Sequence, residues 1–412
     1  MILKNIKLHN WKNFQKCEVE LSERCFIIGA NASGKSNFID ALRFLRDIAK
    51  QSGGLQTAVE ERGGITKIRC LATQEQTNVS ITVELGDPDE LQNLWRYHLE
   101  FDNIPVDYLL VNHGKYLSNN GKIFSTSENH VRIISEEVYS YCEKKYILQR
   151  RDIDEGEDNE TLKQTHLEQA IANKKFRDLQ IVFQNIEYLN IIPQLIREST
   201  SVSSFYTKEE YYGRTFLEKL SKMDEQTRSS HFRKINECLT IAVPQLKELN
   251  FVSDKMGIPH LEAKYVDWRA KGSKQQEMQF SDGTLRLIGF LFALLDNSGT
   301  VLLEEPEIKL HSGIISQIPE FISKIQRSKK AKSGSQILIT THSYDILSNS
   351  GISIDEVLIL QNTPQGATIQ KVSDIAEVKA VVDAGLSIAD AVIPHTKPEG
   401  IEKLTQQLTI SF

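Results

Sequence analysis

Apolar and polar positions alternate from the first residues onward: Ile2, Ile6 and Leu8 fall at even spacing, and Val19 and Leu21 continue the pattern. A period of two predicts half-buried strands. The alternation gives way to the unbroken apolar run Phe26-Ile27-Ile28, which predicts a strand covered on both faces. From about Lys35 to Gln51 apolar side chains recur at helical spacing, and Ser52-Gly53-Gly54 ends them. Val79–Leu85 alternates again and is closed by Gly86-Asp87-Pro88, with further strand-like pieces at Tyr97–Phe101, Tyr108–Val111 and Tyr139–Leu148. The charged stretch from Arg150 to Glu160 reads as a solvated loop rather than a metal site, because nothing beside its carboxylates fixes a geometry. Residues from about Leu162 to Arg197, and Phe216–Ile241, predict mostly helix. No heptad pattern is sustained and no internal repeat stands out, so a long coiled-coil arm is not expected.

Chemistry enters between the buried strand and the first helix. Gly29-Ala30-Asn31-Ala32-Ser33-Gly34-Lys35-Ser36 is a complete phosphate-binding loop. Its glycines let backbone N–H groups turn inward, Lys35 can reach the β- and γ-phosphates, and the Ser36 hydroxyl can ligate a metal. The ligand class is therefore a nucleoside triphosphate with Mg²⁺. Further on, Ser281-Asp282-Gly283 opens the apolar helix Leu287–Leu295; alone it is an N-cap with a glycine. The strand Thr300–Leu303 then ends in Glu304-Glu305-Pro306-Glu307. At a strand terminus one carboxylate can face a metal while its neighbour addresses a water. The strand Gln336–Thr340 ends in Thr341-His342-Ser343, which makes His342 a candidate γ-phosphate sensor. This order calls for a parallel α/β core with ligands at the carboxyl ends of its strands.

Four blocks, GANASGKSNFIDAL, FSDGTLRLIGFLFALL, VLLEEPEIKLH and ITTHSYDIL, resemble an ABC-type ATPase of the SMC/RecF-like group, in its short AAA-labelled subfamily without Toprim domain or long arms. The resemblance implies an α/β head, a mixed sheet core plus an antiparallel β subdomain, with a mostly helical insert. It divides the chain into an N-terminal lobe (1–90), a variable β/helical insert (91–275), a C-terminal lobe (276–362) and a tail packing on the head (363–412). It makes Gly29, Asn31, Ala32, Ser33, Gly34, Lys35, Ser36 and Asn37 the ATP-binding residues and Ser281 and Gly283 the signature that acts on a second copy's nucleotide. Ser36 and Glu304 become the Mg²⁺ ligands, Glu305 the catalytic base, His342 the switch histidine, and Ile308-Lys309-Leu310-His311 the D-loop. Glu304 stands where Asp is usual and Asp282 where Gly is frequent, as in this subfamily. The group's Q-loop glutamine has no secure position.

The implied assembly is a head-to-tail homodimer clamped on ATP and released by hydrolysis, a switch for a separate effector such as a nuclease, in prokaryotic anti-phage defence or DNA maintenance. Past Asn362 only Asp383 and Asp390 stand out, with no acidic cluster for DNA cleavage. A transport ATPase and a non-catalytic ATP-dependent scaffold remain as alternatives, the former disfavoured by the block Asn10-Trp11-Lys12-Asn13-Phe14. Net charge of −6 argues against a strongly basic nucleic-acid coat, although Lys144-Lys145, Arg150-Arg151, Lys174-Lys175 and Lys329-Lys330-Lys332 could form local patches. The scattered Cys17, Cys25, Cys70, Cys142 and Cys238 form no C-x-x-C pair and fit a reducing, cytoplasmic location. Leu287–Leu295 is too short to span a bilayer, and the N-terminus lacks a signal-peptide core.

Overall fold

The computed structural model describes residues 1–73, 77–88, 93–103, 130–151, 161–169, 171–197, 213, 216–266, 272–296, 299–329 and 335–397. Two six-stranded sheets dominate it. The first is antiparallel throughout and runs in the order β2 (Phe14–Glu20), β1 (Ile2–Trp11), β4 (Val79–Gly86), β5 (Asn93–Asn103), β6 (Val131–Ser140), β7 (Lys145–Arg151). β4 buries alternate residues because only one face of this sheet meets the core.

The second sheet has the order β15 (Gly366–Lys371), β14 (Val357–Thr363), β3 (Arg24–Gly29), β13 (Gln336–Thr340), β12 (Thr300–Glu304), β8 (Glu187–Leu189). All its pairs are parallel except β14 with β15. Both faces are covered, so β3 and β13 are buried at every residue. Within β3, Cys25 and Ile27 belong to a core shared with the antiparallel sheet and helix α1 (Lys35–Ala49), whereas Phe26 and Ile28 belong to a second core. That second core gathers α2 (Glu225–Ala242), α3 (Asp282–Asp296), α4 (Ile318–Lys329) and the C-terminal helices Ala376–Asp383 and Ile388–Thr396. The fold class read from the sequence, a mixed core sheet joined to an antiparallel β subdomain, is the one observed. Gln336 links the two sheets: its buried amide bonds the Leu3 N–H and C=O and the Ser22 C=O at 2.6 to 3.1 Å.

Several local expectations change. Tyr139–Leu148 is a β-hairpin between β6 and β7, turning at Lys144 with φ 52°. The stretch from Leu162 to Arg197 holds two 3₁₀ turns and the helices Arg177–Gln184 and Pro193–Arg197, but also β8. Helix Phe216–Lys222 stops before α2, which restarts with Asp224 as its N-cap. Among its described residues segment 91–275 is as much strand as helix: β5 to β7 extend the first sheet, β8 joins the second, and β9 (Leu246–Ser253), β10 (Pro259–Tyr265) and β11 (Ser273–Gln276) form a small antiparallel sheet. Tyr108–Val111 and the acidic residues 152–158 lie outside the described residues. Among the described residues no helix is long and apolar enough to cross a membrane.

Candidate functional site

The phosphate loop leaves β3 at Gly29 and enters α1 at Lys35. Gly34 caps the helix in the left-handed region, φ 103°, and a Cβ there would lie 2.2 Å from Asn13 Nδ2, so this position requires glycine. Asn13, from the turn between β1 and β2, braces the loop: its Nδ2 donates to the Ser33 carbonyl at 3.0 Å and its Oδ1 accepts from Asn37 Nδ2 at 2.9 Å. Trp11 Nε1 donates to the Asn37 carbonyl at 2.9 Å. Asn37, expected to meet nucleotide, therefore has its amide engaged in this frame. Asn31 and Ala32 are exposed at the loop tip, and Ala32 holds φ 61°.

Lys35 is buried, and its Nζ donates to the carbonyls of Gly29 and Ala30, both at 3.1 Å. Burial pushes its ammonium below the ordinary lysine range, while Glu305, Glu304 and Glu307 pull the other way. Ser33 Oγ is buried with no hydrogen-bond partner among the described residues. A buried orphan hydroxyl beside a lysine whose hydrogen bonds, among the described residues, go to its own loop fits a polyphosphate, which would satisfy both.

β12 lies beside β13, which lies beside β3, so the ends of all three strands meet over the loop. At the end of β12 the two carboxylates part. Glu304 accepts Ser36 Oγ on Oε1 and the Tyr188 hydroxyl on Oε2. Glu305, at φ 43°, places Oε1 3.1 Å from His342 Nε2. A non-glycine residue in the left-handed region is strained, and such strain collects at functional sites. The hydrogen bond with His342 holds the Glu305 carboxyl below the usual carboxylate range, against burial and with help from Lys35 and Arg286. Ser36 with one carboxylate suits Mg²⁺, which takes few protein ligands and fills its shell with water and phosphate oxygens.

Glu307 was not singled out in the sequence. It is nine per cent exposed, and its Oε1 accepts Thr341 Oγ1 at 2.5 Å and the His342 N–H at 3.2 Å. Burial pushes its carboxyl up. It ties the turn after β12 to the main chain of the histidine.

At the start of α3, Ser281 Oγ caps Thr284 N at 3.1 Å. Asp282 pairs with Lys309 Nζ at 2.5 Å and Arg197 Nη2 at 2.6 Å, and these two bonds hold its carboxyl low. Gly283 lets the Lys309 carbonyl approach to 2.6 Å of where a Cβ would sit. Ser281–Gly283 is thereby joined to Ile308–His311, while among the described residues no hydrogen bond or ion pair links it to residues 29–37 of the same chain. No glutamine ends β8, the strand beside β12; Tyr188 and Asn190 stand there.

Of the basic clusters, Arg150 is unavailable to a ligand: it is three per cent exposed and donates to Glu136 Oε2 at 3.0 Å and to the Thr161 and Gln164 carbonyls. The charge that looked like surface in sequence neutralises a buried glutamate. Lys145 pairs with Glu143 at 2.7 Å, Lys174 and Lys175 are exposed, and the side chains of 329–332 lie outside the described residues. Among the described residues no three His, Cys, Asp or Glu side chains converge as a metal cluster, and Asp390 serves as a cap partner of Ser387.

A phosphate loop, a two-carboxylate strand, a histidine strand and the helix opened by Ser281-Asp282-Gly283 on this mixed sheet are those of an SMC/RecF-like ABC-type P-loop ATPase head. The chain belongs to the family described as "AAA domain, putative AbiEii toxin, Type IV TA system", which it matches over residues 25–348. Residues 3–46 also match the "P-loop containing region of AAA domain". The chain is 24% identical over 372 residues to the DNA replication and repair protein RecF of Streptococcus agalactiae serotype V, covering 78% of this chain and 91% of that one. RecF of Gloeobacter violaceus is 34% identical over 98 residues, 23% of this chain and 24% of its own. The crystal structure of an SMC head bound to the C-winged helix domain of ScpA superposes with TM-score 0.52 at 12% identity, over 90% of this chain and 97% of that chain.

Proposed function

We propose that this chain is an ATP-hydrolysing switch: two copies close head to tail on ATP and Mg²⁺, and hydrolysis lets them part. The observation that carries the proposal is the divergence of Glu304 and Glu305, one toward Ser36 and the other toward His342. In this reading Gly29, Asn31, Ala32, Ser33, Gly34, Lys35 and Ser36 hold the nucleotide, Asn37 ties the loop to Asn13 and Trp11, and Ser36 and Glu304 hold Mg²⁺. When bound, Mg²⁺ neutralises charge on the β- and γ-phosphate oxygens. Glu305, kept ionised by its histidine, takes the proton of the attacking water. His342 orients that carboxylate and meets the γ-phosphate.

Ser281 and Gly283 act on the nucleotide of the second copy. Among the described residues they make no hydrogen bond or ion pair with residues 29–37 of their own chain, which supports a composite site, and the N-terminus of α3 favours an anion. Closing and parting of the pair is the two-state element that a partner protein reads. We place the protein in the cytoplasm, upstream of a separate effector such as a nuclease, in prokaryotic anti-phage defence or DNA maintenance. The toxin–antitoxin wording of the family and the repair role in the RecF name support that setting.

Glu305→Gln tests the chemistry. Loss of a general base lowers kcat by roughly 10²- to 10⁴-fold, and light scattering should find ATP-dependent dimers that persist. Ser281→Arg should bind ATP and stay monomeric. Wild-type turnover in Glu305→Gln refutes the base, and a wild-type protein that remains monomeric with ATP refutes the switch.

A further inference from the structure

Glu304 is held from a side that its own motif does not reveal. Tyr188 lies on β8, level with Leu302 of the parallel neighbour β12, and reaches the end of that strand. The residue is five per cent exposed, and the Arg43 guanidinium, carried by α1, stands 4.2 Å from its ring centroid. Its hydroxyl donates to Glu304 Oε2, leaving Oε1 on Ser36 Oγ. Three elements distant in the chain, α1, β8 and β12, therefore converge on one carboxylate. The need for such a restraint is plain from the residue type. A glutamate has one more rotatable bond than an aspartate, so an unrestrained Glu304 could turn away from Ser36 or present both oxygens at once.

We propose that Tyr188 is a positioning residue for Glu304: by occupying Oε2 it turns Oε1 alone toward Ser36, so that the carboxylate offers a single oxygen to Mg²⁺. This rests on the reading of Ser36 and Glu304 as the Mg²⁺ ligands. Partners that orient a metal-binding carboxylate commonly account for 10- to 100-fold in metal affinity. The ring under Arg43 serves as the rigid mount and the hydroxyl as the contact.

Tyr188→Phe removes only the hydroxyl and keeps the ring in place. The fluorescent, non-hydrolysable analogue mant-AMPPNP is titrated against the full chain in EDTA and in MgCl₂, for wild type, Tyr188→Phe and Glu304→Ala. Tyr188→Phe should bind within about twofold of wild type in EDTA and about 10-fold more weakly than wild type in MgCl₂. Glu304→Ala should show no tightening by Mg²⁺. If Tyr188→Phe tightens with Mg²⁺ as wild type does, or weakens equally in both media, the role of Tyr188 is overturned while the metal site stands. If Glu304→Ala tightens like wild type, the metal site itself is misassigned.

Discussion

Asn13 offers the sharpest test of how this nucleotide loop is held. Its side chain makes two partly buried hydrogen bonds to the loop, one to the Ser33 carbonyl at 3.0 Å and one from Asn37 Nδ2 at 2.9 Å. Asn13→Ala deletes both, while the main-chain bond from Ala367 N to the Asn13 carbonyl at 2.6 Å is retained. At about 1 kcal/mol net per bond, some 2 kcal/mol of loop preorganisation is lost. With tenfold for each 1.4 kcal/mol, ATP affinity should fall by about 30-fold. Fluorescence titration with nucleotide measures it. A second arm uses Gly34, whose added methyl would sit 2.2 Å from Asn13 Nδ2. Gly34→Ala carries both that clash and the strain of φ 103°; adding Asn13→Ala removes the clash and leaves the strain. Denaturant unfolding should therefore find the double variant more stable than the sum of the single losses, by roughly 0.5–3 kcal/mol. Binding of Asn13→Ala within twofold of wild type, or strict additivity in the cycle, refutes the brace.

Two pH experiments follow from the ionisable groups. The hydrogen bond from His342 keeps Glu305 ionised below the usual carboxylate range, and burial opposes it. His342→Ala should move the acid limb of the kcat profile to higher pH; an unmoved limb contradicts the coupling. Asp40 on α1 would be raised by burial, but Arg62 and Lys12 outweigh that and hold its carboxyl at about 2 against an ordinary 3.8. A depressed native value contributes stability above the unfolded value, lost as pH falls from about 4 through 2. The difference corresponds to about 2 kcal/mol at neutral pH. Asp40→Asn should therefore melt lower than wild type at pH 7, with the gap closing near pH 2; a gap independent of pH contradicts the ion pair.

The strand, loop and helix from Arg24 to Ala49 are readable because their signals are contiguous: a buried apolar run, glycines where the backbone turns sharply, then a helical period. The alternation of β1 and β4 is equally local. β8 escaped notice because three residues cannot show a period and their neighbours are helical. Their strand character comes from pairing with β12, far along the chain. Arg150 looked like a surface cation because sequence does not record that Glu136, opposite it on β6, is fully buried.

From the sequence alone came the phosphate loop, the head fold and the expected motif residues, since a phosphate loop and a strand ending in acids depend on neighbours along the backbone. Only the folded chain decided that Glu304 turns to Ser36 and Tyr188 while Glu305 turns to His342, that Glu307 fastens the histidine loop, and that Asn13 fills the space Gly34 leaves. Those pairings join residues remote in sequence through the order of strands in the mixed sheet and the packing of the antiparallel sheet beside it. That order arises from which faces can be buried together, and no local pattern encodes it.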